Sequence, residues 1–306
     1  MRNLTFFLIL LSAITSCSSH PFNEYDENII FINNLKGKIK SVKSETYRAT
    51  DIFGEVVKEE LATPFFDLSN TLATIFSPNS LFDFAENGLT TSRTISNNIF
   101  TYTLKQIYDK EWNIIEEHYI MDSVEIISKL NTVDGKIISA TSYNNEGEIE
   151  SSNEFLYENK LIKEITKKNS EEKIVSKTLY KYEDKNQIQS FYDESGKLQH
   201  KNKKDIYGRY IEVGIPGDIK IIHYDGKNPF PSEIIRYEDN EIVGRLKVTL
   251  NDHKSISEIK DTDVKTKTET VFKYTYKYDK QGNWIERVKH ENDKLKYITE
   301  RIIKYY

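Results

Sequence analysis

The sequence feature that most constrains the fold is a short unit that recurs along the chain. The unit is an aromatic residue, then an acid or amide, then a few polar residues that usually include glycine, and finally an apolar residue. Its clearest copies are YNNEGEI at 143–149, YDESGKL at 192–198, YDKQGNW at 278–284 and the glycine-free YENKL at 157–161, YEDKNQI at 182–188 and YEDNEI at 237–242.

The residue types in this unit are those of a tight β-hairpin. The acid or amide can accept hydrogen bonds from the turn backbone, and glycine readily adopts the positive φ that such a loop needs. Tyrosine ends the strand before the turn, and the apolar residue begins the next strand. We therefore assign turn roles to Asp193, Gly196, Asp279 and Gly282. The same reasoning predicts turns near 145–147, 158–160, 194–196, 239–241 and 281–282.

The segments between the turns alternate with the period of two that a β-strand requires. In VFKYTYKY, for example, Phe272, Tyr274, Tyr276 and Tyr278 fall on one face. Tight turns join strands that are neighbours in sequence, so the strands should pair in chain order. The pattern thus predicts an all-β fold, an antiparallel meander of repeated hairpins.

The composition limits how thick this meander can be. The chain is 38% hydrophobic, but that share includes 20 tyrosines and 15 phenylalanines, so aliphatic residues are few. Disordered chains lack aromatic and β-branched residues, which are plentiful in this one. We therefore predict a folded domain over 34–306, built as a single curved sheet or an open half-barrel. The segment 65–76, bracketed by prolines, is the best helical candidate and predicts an insertion at 61–81.

Two ten-residue segments align without gaps, YDKEWNIIEE at 108–117 and YDKQGNWIER at 278–287. Tandem duplication of a hairpin explains this likeness better than two coincident active sites. Trp112 falls where Gly282 sits, so we expect the first of the two turns to be built differently, with Asn113 in the left-handed position.

The N-terminus has the order of parts found in an export signal. Arg2 precedes an apolar run at 4–11, small polar residues follow, and then comes Cys17. Ile-Thr-Ser-Cys at 14–17 resembles the bacterial lipobox, which implies a signal peptide at 1–16, lipidation of Cys17 and a tether at 17–33. The alternative is an ordinary secretory signal in which the cysteine is incidental.

The repeated unit resembles the YD-repeat, or Rhs-repeat, class, whose hallmark is Y-D-x-x-G-x-aliphatic. The closing stretch at 274–306 is similar to the C-termini of YD-repeat lipoproteins of the Bacteroidetes type, and LKGKIKSVKSETY at 35–47 is similar to their first strand. The resemblance implies sheet architecture and contact with carbohydrate or protein, and it transfers no functional residue except Cys17. The core motif and toxic tip of the large Rhs proteins are missing from this sequence, so toxin delivery is not implied.

Charge and motifs narrow the function further. The formal net charge is −5, with both signs interspersed, and the sequence has no basic stripe for nucleic acid. The only membrane partner expected is the bilayer that holds the lipid anchor. The six histidines lie too far apart for HxH or HExxH geometry, and no nucleotide loop or nucleophile elbow occurs. We therefore expect no metal, no cofactor and no catalytic residue.

The tyrosine-rich segment is the one feature that suggests a binding role. Tyr274, Tyr276, Tyr278 and Trp284 form a candidate aromatic contact face, although tyrosines in a strand also serve as a cross-strand ladder. We expect a non-enzymatic outer-membrane lipoprotein that binds or scaffolds a glycan or an envelope protein, on either face of that membrane. The alternative is a glycan-directed hydrolase whose site no motif reveals.

The anchor assignment predicts that Cys17→Ala abolishes membrane association, because a thiol at this position is the attachment point of the lipid. The measurement is fractionation of cells that express the mutant, with Ser19→Ala as the control that should stay in the membrane pellet. A Cys17→Ala protein that still sediments with membranes would contradict the assignment.

Overall fold

The computed structural model describes residues 35–62, 79–96 and 101–306, and all regular secondary structure in these ranges is antiparallel β-strand. The strands in chain order are β1 (Ile39–Ile52), β2 (Glu55–Leu61), β3 (Asn79–Phe84), β4 (Thr90–Ser96), β5 (Thr101–Tyr108), β6 (Ile114–Met121), β7 (Val124–Val133), β8 (Lys136–Tyr143), β9 (Ile149–Glu158), β10 (Leu161–Asn169), β11 (Ile174–Glu183), β12 (Asn186–Asp193), β13 (Leu198–Lys204), β14 (Tyr210–Ile215), β15 (Asp218–His223), β16 (Glu233–Glu238), β17 (Glu241–Leu250), β18 (Ile256–Asp263), β19 (Thr268–Tyr278), β20 (Trp284–Glu291) and β21 (Lys294–Tyr305).

Several sequence predictions fall outside the described residues. They are the signal peptide at 1–16, Cys17 with its tether, and the helix at 65–76. Of the insertion placed at 61–81, the first residue ends β2 and the last three belong to β3. The described chain has no helix that is long and apolar enough to cross a membrane.

The strand ladder closes on itself. Each strand from β3 to β20 pairs with the next one in the chain, which confirms the antiparallel meander. At the seam, β1 pairs with β3 along one edge and with β21 along the other, so that Val42 lies opposite both Phe82 and Ile303. β1 and β3 to β21 therefore form a closed barrel of twenty strands, while β2 pairs only with β1.

The prediction of an open sheet or half-barrel was wrong for a physical reason. A hairpin turn in the sequence predicts only the pairing of the two strands that it joins. The pairing of the first strand with the last is not encoded by any turn, so it could not be predicted from local sequence. Closure leaves neither β1 nor β21 with an unpaired main-chain edge, which is the liability of an open sheet. Inside the seam, the hydroxyls of Thr46 and Thr299 lie 2.9 Å apart and are buried.

The two faces of the barrel wall differ in character. One face carries the buried apolar clusters and is the inner one; the clusters are centred on Val42, Phe82 and Phe84, on Leu130, Ala140 and Phe155, and on Ile222, Ile234, Leu246 and Ile259. The other face carries cross-strand ion pairs, among them Lys58–Glu300, Lys168–Glu154, Lys177–Glu164, Arg245–Glu233 and Lys277–Glu286. The outer face is therefore suited to water.

The repeated unit forms one turn geometry at several places. In the turn after β19, the Asp279 carboxylate accepts hydrogen bonds from the backbone N–H groups of Gln281 (3.0 Å) and Asn283 (2.8 Å). Gly282 has a φ of 81°, and its N–H donates to the Asp279 carbonyl. The turn after β12 repeats the pattern, with Asp193 as the acceptor and Gly196 at a φ of 78°.

The turn after β5 uses the same geometry with a tryptophan in place of glycine. Trp112 itself has a φ of 64°, and its N–H donates to the Asp109 carbonyl. The expectation that Asn113 would take the left-handed position was therefore wrong. Asn113 instead donates both its backbone and its side-chain N–H to the Asp109 carboxylate, and this bracing holds the turn in register.

The turn after β19 is also attached to the seam. The Asn283 side chain is only 1% exposed, and it bonds the main chain of Lys36 in both directions, accepting from its N–H (2.6 Å) and donating to its carbonyl (2.8 Å). It also donates to the Tyr305 hydroxyl. One turn thus holds the segment before β1 against the end of β21.

We predict that Gly282→Val lowers the free energy of unfolding by about 1–3 kcal/mol, because a branched side chain is strained at positive φ. The measurement is urea denaturation of the full chain. Gln281→Val is the matched control, since Gln281 is an exposed residue of the same turn that does not need a positive φ. Equal midpoints for the two variants would overturn the turn assignment.

Four inward-facing tyrosines make the same kind of hydrogen bond to the backbone of a neighbouring strand. Each tyrosine donates its hydroxyl hydrogen to a backbone carbonyl of the preceding strand. The residue that owns this carbonyl comes just before a β-bulge, at which the preceding strand shifts register against its other neighbour. The pairs are Tyr108 to Thr90 (2.7 Å), Tyr157 to Ile137 (3.0 Å), Tyr182 to Ile162 (3.0 Å) and Tyr276 to Ile256 (2.7 Å). A bulge interrupts the main-chain hydrogen bonds between strands, and the tyrosine hydroxyl supplies a donor to the carbonyl beside it.

We predict that Tyr182→Phe destabilises the protein by roughly 1 kcal/mol, because the Ile162 carbonyl loses its donor while the ring is kept. The control is Tyr192→Phe, since Tyr192 lies on the outer face of β12, next to the inward Phe191. Thermal unfolding followed by circular dichroism measures both, and a Tyr182→Phe protein that melts with the control would disprove the role of the hydroxyl.

Candidate binding site on the inner face

The predicted aromatic residues lie close together, on the inner face of the wall. Tyr274 and Tyr276 point inward from β19, and Trp284 is the first residue of β20. The Trp284 ring meets the Tyr276 ring edge-on at 6.0 Å between centroids. All three side chains are half-buried, so each keeps some accessible surface toward the interior.

The tyrosines of β19 are held by hydrogen bonds and stacking. Burial, more than any other cause, raises the pKa of Tyr276, whose hydroxyl donates to the Ile256 carbonyl. Tyr278 stacks on the His253 ring at 4.1 Å, and its hydroxyl accepts from the Asn251 side chain. These two tyrosines are structural ladder residues as well as candidate contacts, so Tyr274 and Trp284 are the better candidates.

Three cations share the inner face with these rings. Arg287 and Lys289 on β20 lie opposite Tyr276 and Tyr274, and Arg301 on β21 lies opposite Ser44. Arg287 is 7% exposed and donates to the Thr299 hydroxyl at 3.3 Å. Together, Tyr274, Tyr276, Trp284, Arg287, Lys289 and Arg301 make up what we call the Trp284 cluster.

Trp284 is the centre of this cluster. The Arg301 guanidinium carbon lies 3.3 Å from the centroid of the indole, and that of Arg287 lies 5.2 Å away. Arg287 is also 5.7 Å from the Tyr274 ring, and the Lys289 ammonium is 4.4 Å from the Phe272 ring. The positively charged ends of these arginine and lysine side chains therefore lie against aromatic rings, which is the geometry of a cation–π contact.

The cations also act on one another. Burial, followed by the charge of Arg287, lowers the pKa of the Arg301 guanidinium. Burial and then Arg287 likewise lower the pKa of Lys289, while Glu291 raises it. The cluster is thus a site of concentrated positive charge on apolar surface. Guanidinium groups in such a setting can bind a carboxylate through two parallel hydrogen bonds.

Sequence reasoning missed the arginines because of a β-bulge. A strict period of two from Trp284 puts Glu286 and Val288 on its face and Arg287 on the other. In the structure the register shifts between Lys277 and Tyr278, so that Trp284 and Arg287 share the inner face. Arg301 comes onto the same face through its pairing with β1.

The remaining predicted residues are not part of this cluster. Asp279 and Gly282 lie in the turn that precedes Trp284, whereas Asp193 and Gly196 lie in the turn after β12. Cys17 is outside the described residues. These turn residues shape the backbone, and the contacts that the structure gives them are hydrogen bonds within the turn and to neighbouring side chains.

Two carboxylates point inward elsewhere on the wall. Glu117 on β6 is 1% exposed, and it accepts from Gln106 (2.9 Å) and from the Tyr119 hydroxyl (2.5 Å). Asp261 on β18 pairs with Arg236 at 2.7 Å. Among the described residues, no three His, Cys, Asp or Glu side chains are grouped so that they could hold a metal ion.

On the outer face, His118 lies between two glutamates. Its ring nitrogens are 2.8 Å from Glu125 and 2.6 Å from Glu116, and the hydrogen bond to Glu125 is the main cause that raises the pKa of the imidazole. This arrangement is an ion-pair network of the charged outer surface.

Comparison with known proteins gives only distant similarities. No model of a known protein family matches the chain, and no curated protein matches its sequence. The chain is similar to a porin-like protein from Bacteroides uniformis (11% identity, 88% of this chain and 98% of that one, TM-score 0.33). It is also similar to a porin-like protein from Bacteroides vulgatus (12% identity, 71% of this chain and 98% of that one, TM-score 0.28).

A third similarity is to the Tc holotoxin pore of Photorhabdus luminescens, at 8% identity and a TM-score of 0.21. It covers 74% of this chain and 20% of the holotoxin chain. At TM-scores this low, none of these similarities carries an argument about fold or function.

Proposed function

We propose that this protein is a non-enzymatic binding module of the bacterial cell envelope, anchored in the outer membrane through Cys17, and that it binds a glycan at the Trp284 cluster. The observation that carries the proposal is the set of half-buried aromatic rings, each beside a cation, on the inner face of the barrel. The YD-repeat resemblance favours carbohydrate contact independently of this geometry.

The chemistry of the cluster suits a saccharide. Sugar rings present apolar C–H faces that stack on indole and phenol rings, and their hydroxyls need a few well-placed polar groups at the edges. Binding sites combine aromatic surface with such groups. The Arg287 guanidinium supplies such a group beside Trp284. A slender saccharide also fits an enclosed face better than a folded protein does.

The outer face supports a location in water rather than in lipid. The Lys177–Glu164 ion pair joins the middle parts of β11 and β10, away from the ends of the wall. A charged side chain that faces hydrocarbon at the bilayer midplane costs about 2–4 kcal/mol. A domain tethered beside the membrane by a lipid avoids that cost, and the lipobox resemblance of residues 14–17 supplies the tether.

A hydrolase is the less favoured function. A glycosidase needs one carboxyl group to give a proton and a second to act as base or nucleophile. The inward Glu117 accepts two hydrogen bonds from its neighbours, and Asp261 is paired with Arg236. Both groups are thus already engaged in the wall itself. Glu291, the inward carboxylate of β20, lies opposite Lys294 and is one carboxyl group where cleavage needs two, so the arrangement favours binding over cleavage.

The two tryptophans of the chain allow a direct test. In a Trp112→Phe variant, Trp284 is the only tryptophan left, so its fluorescence reports on the cluster alone. We expect titration with a panel of oligosaccharides to shift or quench this emission. Trp284→Phe, in which only the turn residue Trp112 emits, is the reciprocal control and should not respond.

The same experiment gives affinities. Trp284→Ala should weaken glycan binding about tenfold or more, because a stacked aromatic contact is commonly worth 1–3 kcal/mol. Trp112→Ala should leave binding unchanged. If no saccharide in the panel changed the Trp284 fluorescence of the Trp112→Phe protein, glycan binding would be refuted. Chromatographic detection of shortened oligosaccharides would instead establish the hydrolase.

A further inference from the structure

We infer that the ligand of the Trp284 cluster is an acidic saccharide, whose ring stacks beside Trp284 and whose carboxylate is held at Arg287, between Arg301 and Lys289. This inference rests on the proposed function and specifies its ligand class.

The placement of the cations is the first ground. Arg287 and Lys289 alternate along β20, and Arg301 lies one strand away, diagonal to Arg287, which faces Thr299. Residues two apart in a strand, and diagonal neighbours across strands, lie about 7 Å apart. A single carboxylate between them can therefore meet more than one of the three side chains. After burial, the charge of Arg287 is the next largest cause that lowers the pKa of Arg301 and of Lys289, in keeping with three cations placed near one another.

The second ground is that the two arginines are held in place before a ligand arrives. Arg301 stacks on the indole, and Arg287 donates to Thr299, which in turn bonds Thr46 across the seam. A guanidinium that stacks on an aromatic ring is fixed in one plane, which is also the plane in which it binds a bidentate acceptor. Such preorganisation lowers the entropy cost of binding.

A third ground is the balance of charge on the two strands that carry the cations. Besides Arg287, Lys289 and Arg301, the inward positions of the register on β20 and β21 hold Lys294 and a single carboxylate, Glu291, and these two lie opposite each other. The charge of the Trp284 cluster is positive in sum, which suits an external acid.

The test compares oligogalacturonate with its fully methyl-esterified form, which has the same ring and linkage without the charge. The Trp112→Phe protein reports binding through Trp284. We expect the acid to bind about tenfold or more tightly than the ester, as charge-assisted hydrogen bonds imply. Added sodium chloride should narrow that difference.

Arg287→Gln is the decisive variant, since glutamine keeps a hydrogen-bond donor and removes the charge. It should weaken binding of the acid about tenfold and leave binding of the ester unchanged. Arg245→Gln, on the outer face, is the control and should bind the acid normally. Lys289→Gln is the second variant if the melting temperature of Arg287→Gln shows that it folds poorly.

The outcomes separate the inference from the function beneath it. Equal binding of acid and ester, with a response from Trp284, would overturn the acidic ligand and leave glycan binding in place. Binding of a sulfated oligosaccharide without binding of the uronate would also overturn the carboxylate assignment. Silence of Trp284 toward all three probes would overturn both proposals.

Discussion

Main-chain hydrogen bonds between β1 and β21 run from Ile39 opposite Tyr305 to Arg48 opposite Tyr297. These bonds join the first and last described strands, and the inner face exists as an enclosed surface because of them. Thr46 and Thr299 contribute a buried contact in the same seam, and Asn283 fastens the turn before β20 to Lys36. Arg301 of the Trp284 cluster lies on β21, opposite Ser44 of β1, so closure and the candidate site share that strand.

Much of the architecture could be predicted because its causes are local. An acid or amide followed by glycine, as at Asp193 and Gly196, specifies a turn whose hydrogen bonds lie within five residues. Closure could not be predicted in this way, since it pairs residues at opposite ends of the chain. The geometry of the first duplicated turn was missed because the bracing by Asn113 holds Trp112 in a conformation that tryptophan rarely adopts.

The candidate site was predictable only in its aromatic half. The regular alternation of β19 placed Tyr274 and Tyr276 on one face, and the turn put Trp284 close to them. The bulge at the start of β20 then reverses the alternation, which brings Arg287 inward beside the indole. Bulges recur at the starts of many strands, and at four of them, in β4, β8, β10 and β18, an inward tyrosine hydroxyl bonds the carbonyl next to the bulge. The β-bulges, which are part of the structure of the wall, thus also determine which charged side chains face the interior.

The pairing of β2 and β3 along one edge of β1 has a consequence for how such a chain can grow. In a closed meander whose neighbours are all antiparallel, strand directions must alternate all the way around, so the number of strands must be even. β2 pairs with Tyr47–Ile52 of β1, and β3 pairs with Ser41–Ser44 along the same edge of β1. β2 and β3 therefore occupy one strand position between them when the strands around the barrel are counted. Duplication of a whole hairpin adds two strands and preserves this parity. Gain or loss of a single strand would leave β1 and β21 parallel, and the seam with its threonine pair could not form.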